Sequence, residues 1–471
     1  MKQKRRAPST RKVRRIYAGG KRGEGHRLQG QLRRIRRPDP SVFRAGRPDP
    51  NLTSVAGLVP FGVYLRKIEV DRQLRQLFDR LKSSHQVVYP MGAQMRLLLD
   101  AFAVGETRVF GVEALASDPL FVHLAGGGIP SIDTLYDDLN RFDQDALQDL
   151  ESLMSEQGLA RVSGMRRPPG TFIHLDIDTT VTPVSGESEG ARPGPNPRYH
   201  GRPSFHPLLA RLAETDTLVG AQLRPGDTGF GEEDVPTVCR WVARARDRLR
   251  KGLHLCVRMD AGGDCAALIR GLNDEQVFYI LKARITADLL AAVARATDWK
   301  TMDRDANNAP IRQVTELSFA RQVWAGIEPG VRVIAVRSLE RQGKQLPLFE
   351  GFDGTVQVFL TNRPDDADDI AWDYDGRAGI EPHIAELKGF WGLGHASCYS
   401  FAANHAALLL KLLAHNLLDR FAATMCPGLP RWRTGWRRRT LLRCPGRLSR
   451  SGRGRKLHLP PGSAVLQAML E

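Results

Sequence analysis

The sequence contains little cysteine, and its cysteines are not spaced as a metal or disulfide motif. Disulfide frameworks and thiolate zinc sites use closely spaced pairs such as C-x-x-C, so the sequence indicates neither. Unpaired thiols fit a reducing compartment, and we expect a cytoplasmic protein. The six cysteines are Cys239, Cys256, Cys265, Cys398, Cys426 and Cys444.

A long uncharged hydrophobic run is also missing. The most apolar segment, residues 402–425, contains polar and charged side chains, which predicts a buried core helix and no membrane partner. The basic start is not followed by an apolar run, so no signal peptide is expected. The interrupting residues are Asn404, Lys411, His415, Asn416, Asp419 and Arg420.

Acidic residues are scarce near the start of the chain, where Glu24 is the only one before Asp39. The formal net charge is +17 and the sequence pI is about 10.0. A charge balance of this kind indicates a polyanionic partner, and charge alone does not distinguish DNA from RNA or an anionic membrane. The 471 residues, 42% of them hydrophobic, suffice for roughly two to four domains with substantial cores.

Composition and periodicity divide the chain into six parts. The N-terminal arm is basic, and apolar residues then recur at helical spacing in a segment that we interpret as a DNA-binding domain. Ser131 is placed to cap a helix that follows three glycines, which fits half of a helix-turn-helix or a packing helix equally well. The predicted parts are an arm (1–50), a helical domain (51–166), a catalytic core (167–284 and 370–425), a β-rich insertion (285–369) and a basic tail (426–471).

Strand-like alternation begins after Pro168 and predicts an α/β fold. Three strands, a helix, a strand, a helix and a strand follow in that order, which is the order of an RNase-H-like core. Acidic residues at the ends of its first and fourth strands would then lie side by side. The predicted strands cover residues 171–178, 207–212, 218–223, 254–259 and 277–281, and the predicted helices cover residues 234–249 and 261–272.

One stretch near the end of the core carries an unusual set of polar residues. In a regular helix Tyr374, Arg377, Glu381 and Lys388 fall within an arc of about 60°. Cations hold phosphate oxygens, a phenol donates a hydrogen bond, and a carboxylate binds a divalent metal, so this stripe suits a phosphodiester better than a core.

Phosphodiester cleavage by two divalent ions requires about three converging carboxylates. Asp178, Asp260 and Glu381 provide such a set from two strand ends and one helix. Oxygen ligands without a His/Cys cluster favour Mg²⁺, or Mn²⁺, over zinc. Asp176 shares a strand face with Asp178, and the spacing leaves open which of the two binds metal.

The chain resembles the DDE-type transposases of bacterial insertion sequences. Their helix pattern of Tyr, Arg, Glu and Lys is met in Y-D-G-R-A-G-I-E-P-H-I-A-E-L-K, residues 374–388. The segment L-D-I-D-T-T matches the first acidic motif at Asp178, and V-R-M-D-A-G resembles the second at Asp260. The resemblance therefore assigns Asp178, rather than Asp176, to the metal site.

The resemblance implies an RNase-H-like core with a β-strand insertion between the second and third acids, whereas the basic arm that precedes the helical N-terminal DNA-binding domain has no counterpart in the family. It also implies a homodimer that pairs two transposon ends and transfers them by cutting and joining DNA. Catalysis would use Asp178, Asp260 and Glu381 with two Mg²⁺ or Mn²⁺ ions and no organic cofactor. Tyr374, Arg377 and Lys388 would contact the DNA, and Trp324 is a candidate for an aromatic pocket or for the core.

Within the part of the chain that resembles the family, the sequence departs from the family pattern at two points. Pro382 follows Glu381 and removes a backbone donor, which predicts that a helix begins or bends there. Alanine and glycines follow Asp260 where the family has serine and an aromatic residue. Two rival functions remain: a DNA-binding regulator derived from a transposase, and an RNase-H-like nuclease that cuts without joining.

Overall fold

The structure is a computed structural model that describes Ser41, Arg44 and residues 46–194, 200–339, 355–427, 433–452 and 454–460. Most of the predicted N-terminal arm, part of the insertion and the end of the tail lie outside these residues. The described α-helices are α1 Leu58–Lys67, α2 Val70–Phe78, α3 Met91–Val104, α4 Val112–Leu115, α5 Pro119–Leu124, α6 Ile132–Leu139, α7 Gln144–Ser163, α8 Val235–Arg248, α9 Ala266–Asp274, α10 Ala287–Arg295, α11 Ala367–Asp375, α12 Ile380–Phe390, α13 Phe401–Met425 and α14 Thr434–Arg437.

The described strands form three sheets, and two of the sheets have three strands each. The strands are β1 Leu52–Thr53, β2 Phe172–Thr179, β3 Thr182–Pro183, β4 Arg192–Pro193, β5 Pro203–Phe205, β6 Leu208–Leu212, β7 Thr217–Gln222, β8 His254–Met259, β9 Phe278–Lys282, β10 Lys300–Arg304, β11 Pro310–Leu317, β12 Arg332–Ser338, β13 Thr355–Thr361, β14 Gly446–Ser451 and β15 Gly454–His458.

The chain divides into two compact units. The first unit comprises Met1–Val70, Glu113–Ile129 and Phe421–Glu471, and the second comprises Asp71–Val112 and Pro130–Arg420. Helices form throughout residues 58–163, as the apolar periodicity predicts. Ser131 caps α6 by accepting a hydrogen bond from Thr134 N at 3.2 Å, so the predicted helix start is confirmed. The limits of a separate DNA-binding domain stay a prediction.

The second unit is organised around a nine-stranded mixed sheet with the order β10-β11-β12-β13-β9-β8-β2-β6-β7. β2 pairs antiparallel with β6 and parallel with β8, and β8 is parallel to β9. The strands β7-β6-β2-β8-β9 thus reproduce the predicted RNase-H-like order. The α/β fold class is confirmed.

The insertion is part of this same sheet. β13 pairs antiparallel with β9 at the edge of the five core strands, and β12, β11 and β10 continue outward. Strand-like runs at residues 331–336 and 355–360 of the sequence predict β12 and β13. Neither β10 nor β11 was predicted, because their polar residues conceal the strand alternation. Trp324 is 7% exposed within the hydrophobic core, which supports its interpretation as a core residue.

The core sheet packs closely against α8. Trp241 of α8 is fully buried, and its indole nitrogen donates a hydrogen bond to Glu151 of α7 at 2.6 Å. A Cβ added to Gly220 of β7 would lie 2.1 Å from the Trp241 ring, so only glycine permits this approach. Truncation of a buried tryptophan costs about 3–5 kcal/mol, which makes this contact a substantial part of core stability.

The first unit contains the three-stranded sheet β1-β14-β15. Phe421 packs against the rings of Phe61 and Tyr64, with centroid distances of 5.3 and 5.5 Å. Asp118 caps α5 and accepts a hydrogen bond from the Thr53 hydroxyl of β1 at 2.7 Å. Aromatic packing and this cap therefore hold the helices and the small sheet together.

Candidate active site

Two aspartates lie side by side at the C-terminal ends of two neighbouring strands of the core sheet. In the parallel pair of β2 and β8, Ile177 lies opposite Met259, so the residues that follow them, Asp178 and Asp260, are at the same edge. Asp260 also caps a short 3₁₀ helix by accepting a hydrogen bond from Gly262 N at 2.9 Å. The strand order thus places the two predicted metal ligands next to each other.

The carboxyl group of Asp178 has a raised pKa. Burial raises the pKa of its carboxyl group; Arg377 opposes this rise, whereas the charges of Asp260 and Glu381 add to it, and the pKa reaches about 6. The two other acids therefore lie close enough to act on Asp178 directly. Three carboxylates that repel one another around a half-buried position favour a bound cation.

Glu381 reaches this region from the first turn of α12. The stretch assumed to be one regular helix is interrupted, because α11 ends at Asp375 and the 3₁₀ segment Gly376–Gly379 precedes α12. Pro382 lies in the first turn of α12, where a backbone N–H would have no partner within the helix. The missing N–H of Pro382 therefore costs no helical hydrogen bond, and the proline does not break the helix. The single stripe predicted for residues 374–388 is therefore not one regular helix.

Arg377 contacts the acidic cluster directly. Its guanidinium lies 3.2 Å from the Asp178 carboxylate and donates a hydrogen bond to Ile177 O at 3.4 Å. Its Nε is buried and has no hydrogen-bond partner among the described residues. Because the fork of an arginine suits phosphate oxygens, this partly satisfied side chain is well placed to meet a phosphate.

Tyr374 and Lys388 lie on either side of the 3₁₀ segment. The Tyr374 hydroxyl donates a hydrogen bond to Met259 O at 3.3 Å, next to Asp260. Burial raises the pKa of Tyr374 to about 12, so the phenol stays protonated. Lys388 donates a hydrogen bond to Val181 O at 2.8 Å, on the segment that follows Asp178. Both side chains therefore contact the backbone beside the two aspartates.

Asp176, the alternative ligand, is fully buried and already paired. It accepts hydrogen bonds from Arg258 at 2.7 and 3.1 Å and from Arg211 at 3.0 Å. Removing one partner of such a buried ion pair leaves an uncompensated charge and costs about 3–5 kcal/mol. The structure thus gives a physical reason to prefer Asp178, because Asp176 cannot serve a metal without abandoning both arginines.

The ion pairs of Asp176 belong to a network that the sequence analysis missed. Arg258 also donates a hydrogen bond to Asp373 O at 2.6 Å, and Asp373 pairs with Arg363 and His174. The network therefore joins β2, β8 and α11, the elements that lead to the three acids. One signal in the sequence could have indicated this network. Asp176 and Arg258 each lie two residues before a candidate ligand, so each shares the strand face of that ligand.

The tightest group of potential metal ligands in the described part of the chain is His174, Cys256 and Asp373. The two imidazole nitrogens of His174 lie 2.8 Å from Glu214 and 2.9 Å from Asp373. Burial alone would lower the pKa of His174, but these carboxylates outweigh burial and raise it. Burial also raises the pKa of Cys256 to about 12. Both imidazole nitrogens of His174 already contact carboxylates, so the contacts present in this group are those of an ion network.

The three acids are the candidate ligands for divalent ions. Within the described residues, they are not among the groups whose ligand atoms all lie within 4.8 Å of one another. The donors are carboxylate oxygens and one arginine lies beside them, a chemistry that suits Mg²⁺ or Mn²⁺.

The sequence profile of the family described as "Transposase DDE domain group 1" matches residues 45–471. No curated protein matches the sequence. A cryo-EM structure of the piggyBac transposase synaptic complex with hairpin DNA is similar over 82% of this chain and 79% of that chain, with 10% sequence identity and a TM-score of 0.43. A structural similarity with a TM-score below 0.5 supports no conclusion about this chain.

None of the helices in the described ranges is long and apolar enough to cross a membrane.

Proposed function

The chain belongs to the DDE-domain transposase family, and from that premise we propose that it cuts DNA at transposon ends and joins them to target DNA. The observation that carries the proposal is the convergence on Asp178 of the Arg377 guanidinium, 3.2 Å away, and of the charges of Asp260 and Glu381. We further propose that the protein acts as a homodimer on terminal inverted repeats, in the bacterial cytoplasm near the nucleoid.

In this proposal Asp178, Asp260 and Glu381 hold two Mg²⁺ or Mn²⁺ ions. The chemistry that such ions supply is activation of the attacking oxygen and stabilisation of the leaving oxygen of a phosphodiester. Asp178 has a pKa of about 6 without metal, so it is largely ionised at neutral pH and available as a ligand. Protons compete for the same carboxylate below that pH.

The cationic side chains orient the strand in this proposal. Arg377 moves from the Asp178 carboxylate to a phosphate oxygen of the bound DNA, where its guanidinium can donate two parallel hydrogen bonds. Lys388 adds a point charge on the same side, and the Tyr374 hydroxyl keeps the backbone at Met259 in place. A hydroxyl freed by the first cut then attacks the target strand within the same site.

The test is magnesium-dependent cleavage and joining of DNA that carries the element's ends. We expect activity from the wild-type protein and loss of roughly a thousandfold in Asp178→Asn, Asp260→Asn and Glu381→Gln, because several kcal/mol of transition-state stabilisation disappear. DNA binding should persist in all three variants. The matched control is Asp247→Asn, which changes an exposed aspartate of the same unit.

The assay separates the proposal from its two rivals. DNA binding without cutting at any magnesium concentration would indicate a regulator that has lost catalysis. Cutting without joining would indicate a nuclease. Full cleavage by any one of the three acid variants would remove that residue from the metal site.

A further inference from the structure

The C-terminal part of the chain carries cations without acidic neighbours. No aspartate or glutamate occurs between Asp419 and Glu471. Within this region β14 and β15 pair antiparallel, and we call these two strands, Gly446–Ser451 and Gly454–His458, the basic hairpin. Its exposed cationic residues are Arg447, Arg450, Arg455 and Lys456.

The basic hairpin is firmly anchored at its base. Gly446 and Arg447 of β14 pair with β1, and Leu448 N donates a hydrogen bond to Asn51 O at 2.8 Å. Leu448 is 7% exposed and lies opposite Leu457. The pairing with β1 ends at Arg447, so the rest of the hairpin extends beyond that pair as a two-stranded ribbon.

Like charges oppose each other in this ribbon. Arg450 lies directly opposite Arg455, and Lys456 is the next residue of β15. Like charges in a cross-strand pair destabilise a hairpin. Arg447 is paired with Asp49 at 3.0 Å, whereas Arg450, Arg455 and Lys456 have no ion pair within the described chain. Three neighbouring cations are therefore left for an external anion.

Protection of an exposed sheet edge explains only part of this pattern. β15 is an edge strand, and charges on edge strands prevent strands from other molecules from pairing with them. That purpose is served equally by a glutamate opposite Arg450, which would also stabilise the hairpin. Cations on both strands, with no acid in the surrounding sequence, fit a polyanionic partner better.

We propose that the basic hairpin binds duplex DNA, with Arg450, Arg455 and Lys456 contacting phosphates. A two-stranded ribbon fits the major groove of B-form DNA, which is about 12 Å wide. The major groove of an A-form duplex is too narrow for side chains to read, which favours DNA over duplex RNA. The choice of DNA as the polyanion rests on the proposed function, whereas the need for a polyanion rests on the hairpin itself.

The experiment measures the salt dependence of binding to a DNA duplex that lacks the element's ends, with the full chain and in EDTA. The triple variant Arg450→Gln, Arg455→Gln and Lys456→Gln should reduce the slope of log K against log salt by about 3, since each phosphate contact contributes about 1. The control variant Arg250→Gln, Lys251→Gln and Arg295→Gln removes three exposed cations of the second unit and should leave the slope unchanged.

A charge-retaining variant guards against loss of folding. Arg450→Lys with Arg455→Lys should keep the wild-type slope if the hairpin supplies charge to phosphates. An unchanged slope in the glutamine triple variant would show that the cations only protect the sheet edge and would overturn the proposal. Tighter binding of an RNA duplex, lost in the same variant, would overturn the assignment to DNA.

The outcome is independent of catalysis because EDTA removes divalent metal and the duplex carries no transposon end. Failure of the proposed function would appear as absent cleavage with the hairpin-dependent slope intact. Failure of the hairpin inference would appear as normal cleavage with an unchanged slope.

Discussion

The ion network of the second unit and the basic hairpin of the first unit use charge in opposite ways. Asp176 is fully buried and accepts hydrogen bonds from two arginines, so its charge is neutralised within the fold. Arg450 and Arg455 are exposed, oppose each other and have no acidic partner in the described chain. Buried charges must be satisfied internally, whereas exposed like charges can be left for a ligand.

The comparison teaches that charge content alone does not identify a binding surface. Arg258 and Arg450 are both arginines on strands, yet only Arg450 is available to an external anion. Four predictions test this difference, beginning with the largest expected effect.

Breaking the buried network should strongly destabilise the protein. Arg258→Gln removes two hydrogen bonds to Asp176 and leaves that carboxylate partly uncompensated, which should cost about 3–5 kcal/mol of unfolding free energy. Urea denaturation measures this change. The exposed Arg250→Gln variant is the control and should change stability by less than about 0.5 kcal/mol. Equal effects of the two variants would contradict the distinction between buried and exposed arginines.

Removing the arginine beside the acids should raise the pKa of Asp178 further. Arg377 lowers this pKa, whereas burial and the neighbouring acids raise it, and the net value with Arg377 present is about 6. In Arg377→Gln we expect a further rise of about one unit or more, as for any carboxylate that loses an adjacent arginine. NMR titration of the metal-free protein measures it. A lower pKa in the variant would show that Arg377 does not act on Asp178.

The network should make stability depend on pH above about 6.5, the ordinary pKa of histidine. The pKa of His174 is raised in the folded protein, because its bonds to Asp373 and Glu214 outweigh the effect of burial. This stabilisation is fully present below the unfolded value of about 6.5 and is lost as pH rises through the folded pKa. Each unit of difference contributes about 1.4 kcal/mol.

Unfolding free energies between pH 6 and pH 10 should therefore fall more steeply for the wild-type protein than for His174→Gln. The matched control is His254→Gln, since His254 is exposed at the start of β8. Parallel pH profiles for the wild-type protein and His174→Gln would mean that His174 is not held protonated.

A charge reversal in the basic hairpin should stabilise the protein, whereas breaking the buried network should destabilise it. Arg455→Glu replaces a like-charge pair with an opposite-charge pair facing Arg450, which should stabilise the protein by about 0.2–1 kcal/mol at low salt. Thermal unfolding at low and high salt measures this gain, which salt should reduce. Destabilisation at low salt would contradict the cross-strand repulsion on which the comparison depends.

Much of the core could be predicted from the sequence because alternating apolar residues mark its strands. The predicted strand at residues 254–259 matches β8 residue for residue, and β2, β6, β7 and β9 differ from prediction by one residue at their ends. β10 and β11 were missed because their polar residues hide the period, and a sheet extension is decided by pairing with distant strands.

The candidate site, like the fold, was predicted only in part from the sequence. The roles of Asp178, Asp260 and Glu381 followed from a motif and remain predictions. The network around Asp176 was not predicted, because its pairs join residues 35 and 82 positions apart. The 3₁₀ segment between α11 and α12 was not predicted either, since Gly376 and Gly379 are compatible with several backbone conformations.

The sequence by itself determined the supply of chemical groups: carboxylates in a recognisable motif, a surplus of cations, and a period that specifies an RNase-H-like strand order. Only the tertiary structure decided which of these groups are free to act. The energy of a charge depends on its burial and on the distance to its partners, and both are set by the pairing of β2 with β8 and of β14 with β15.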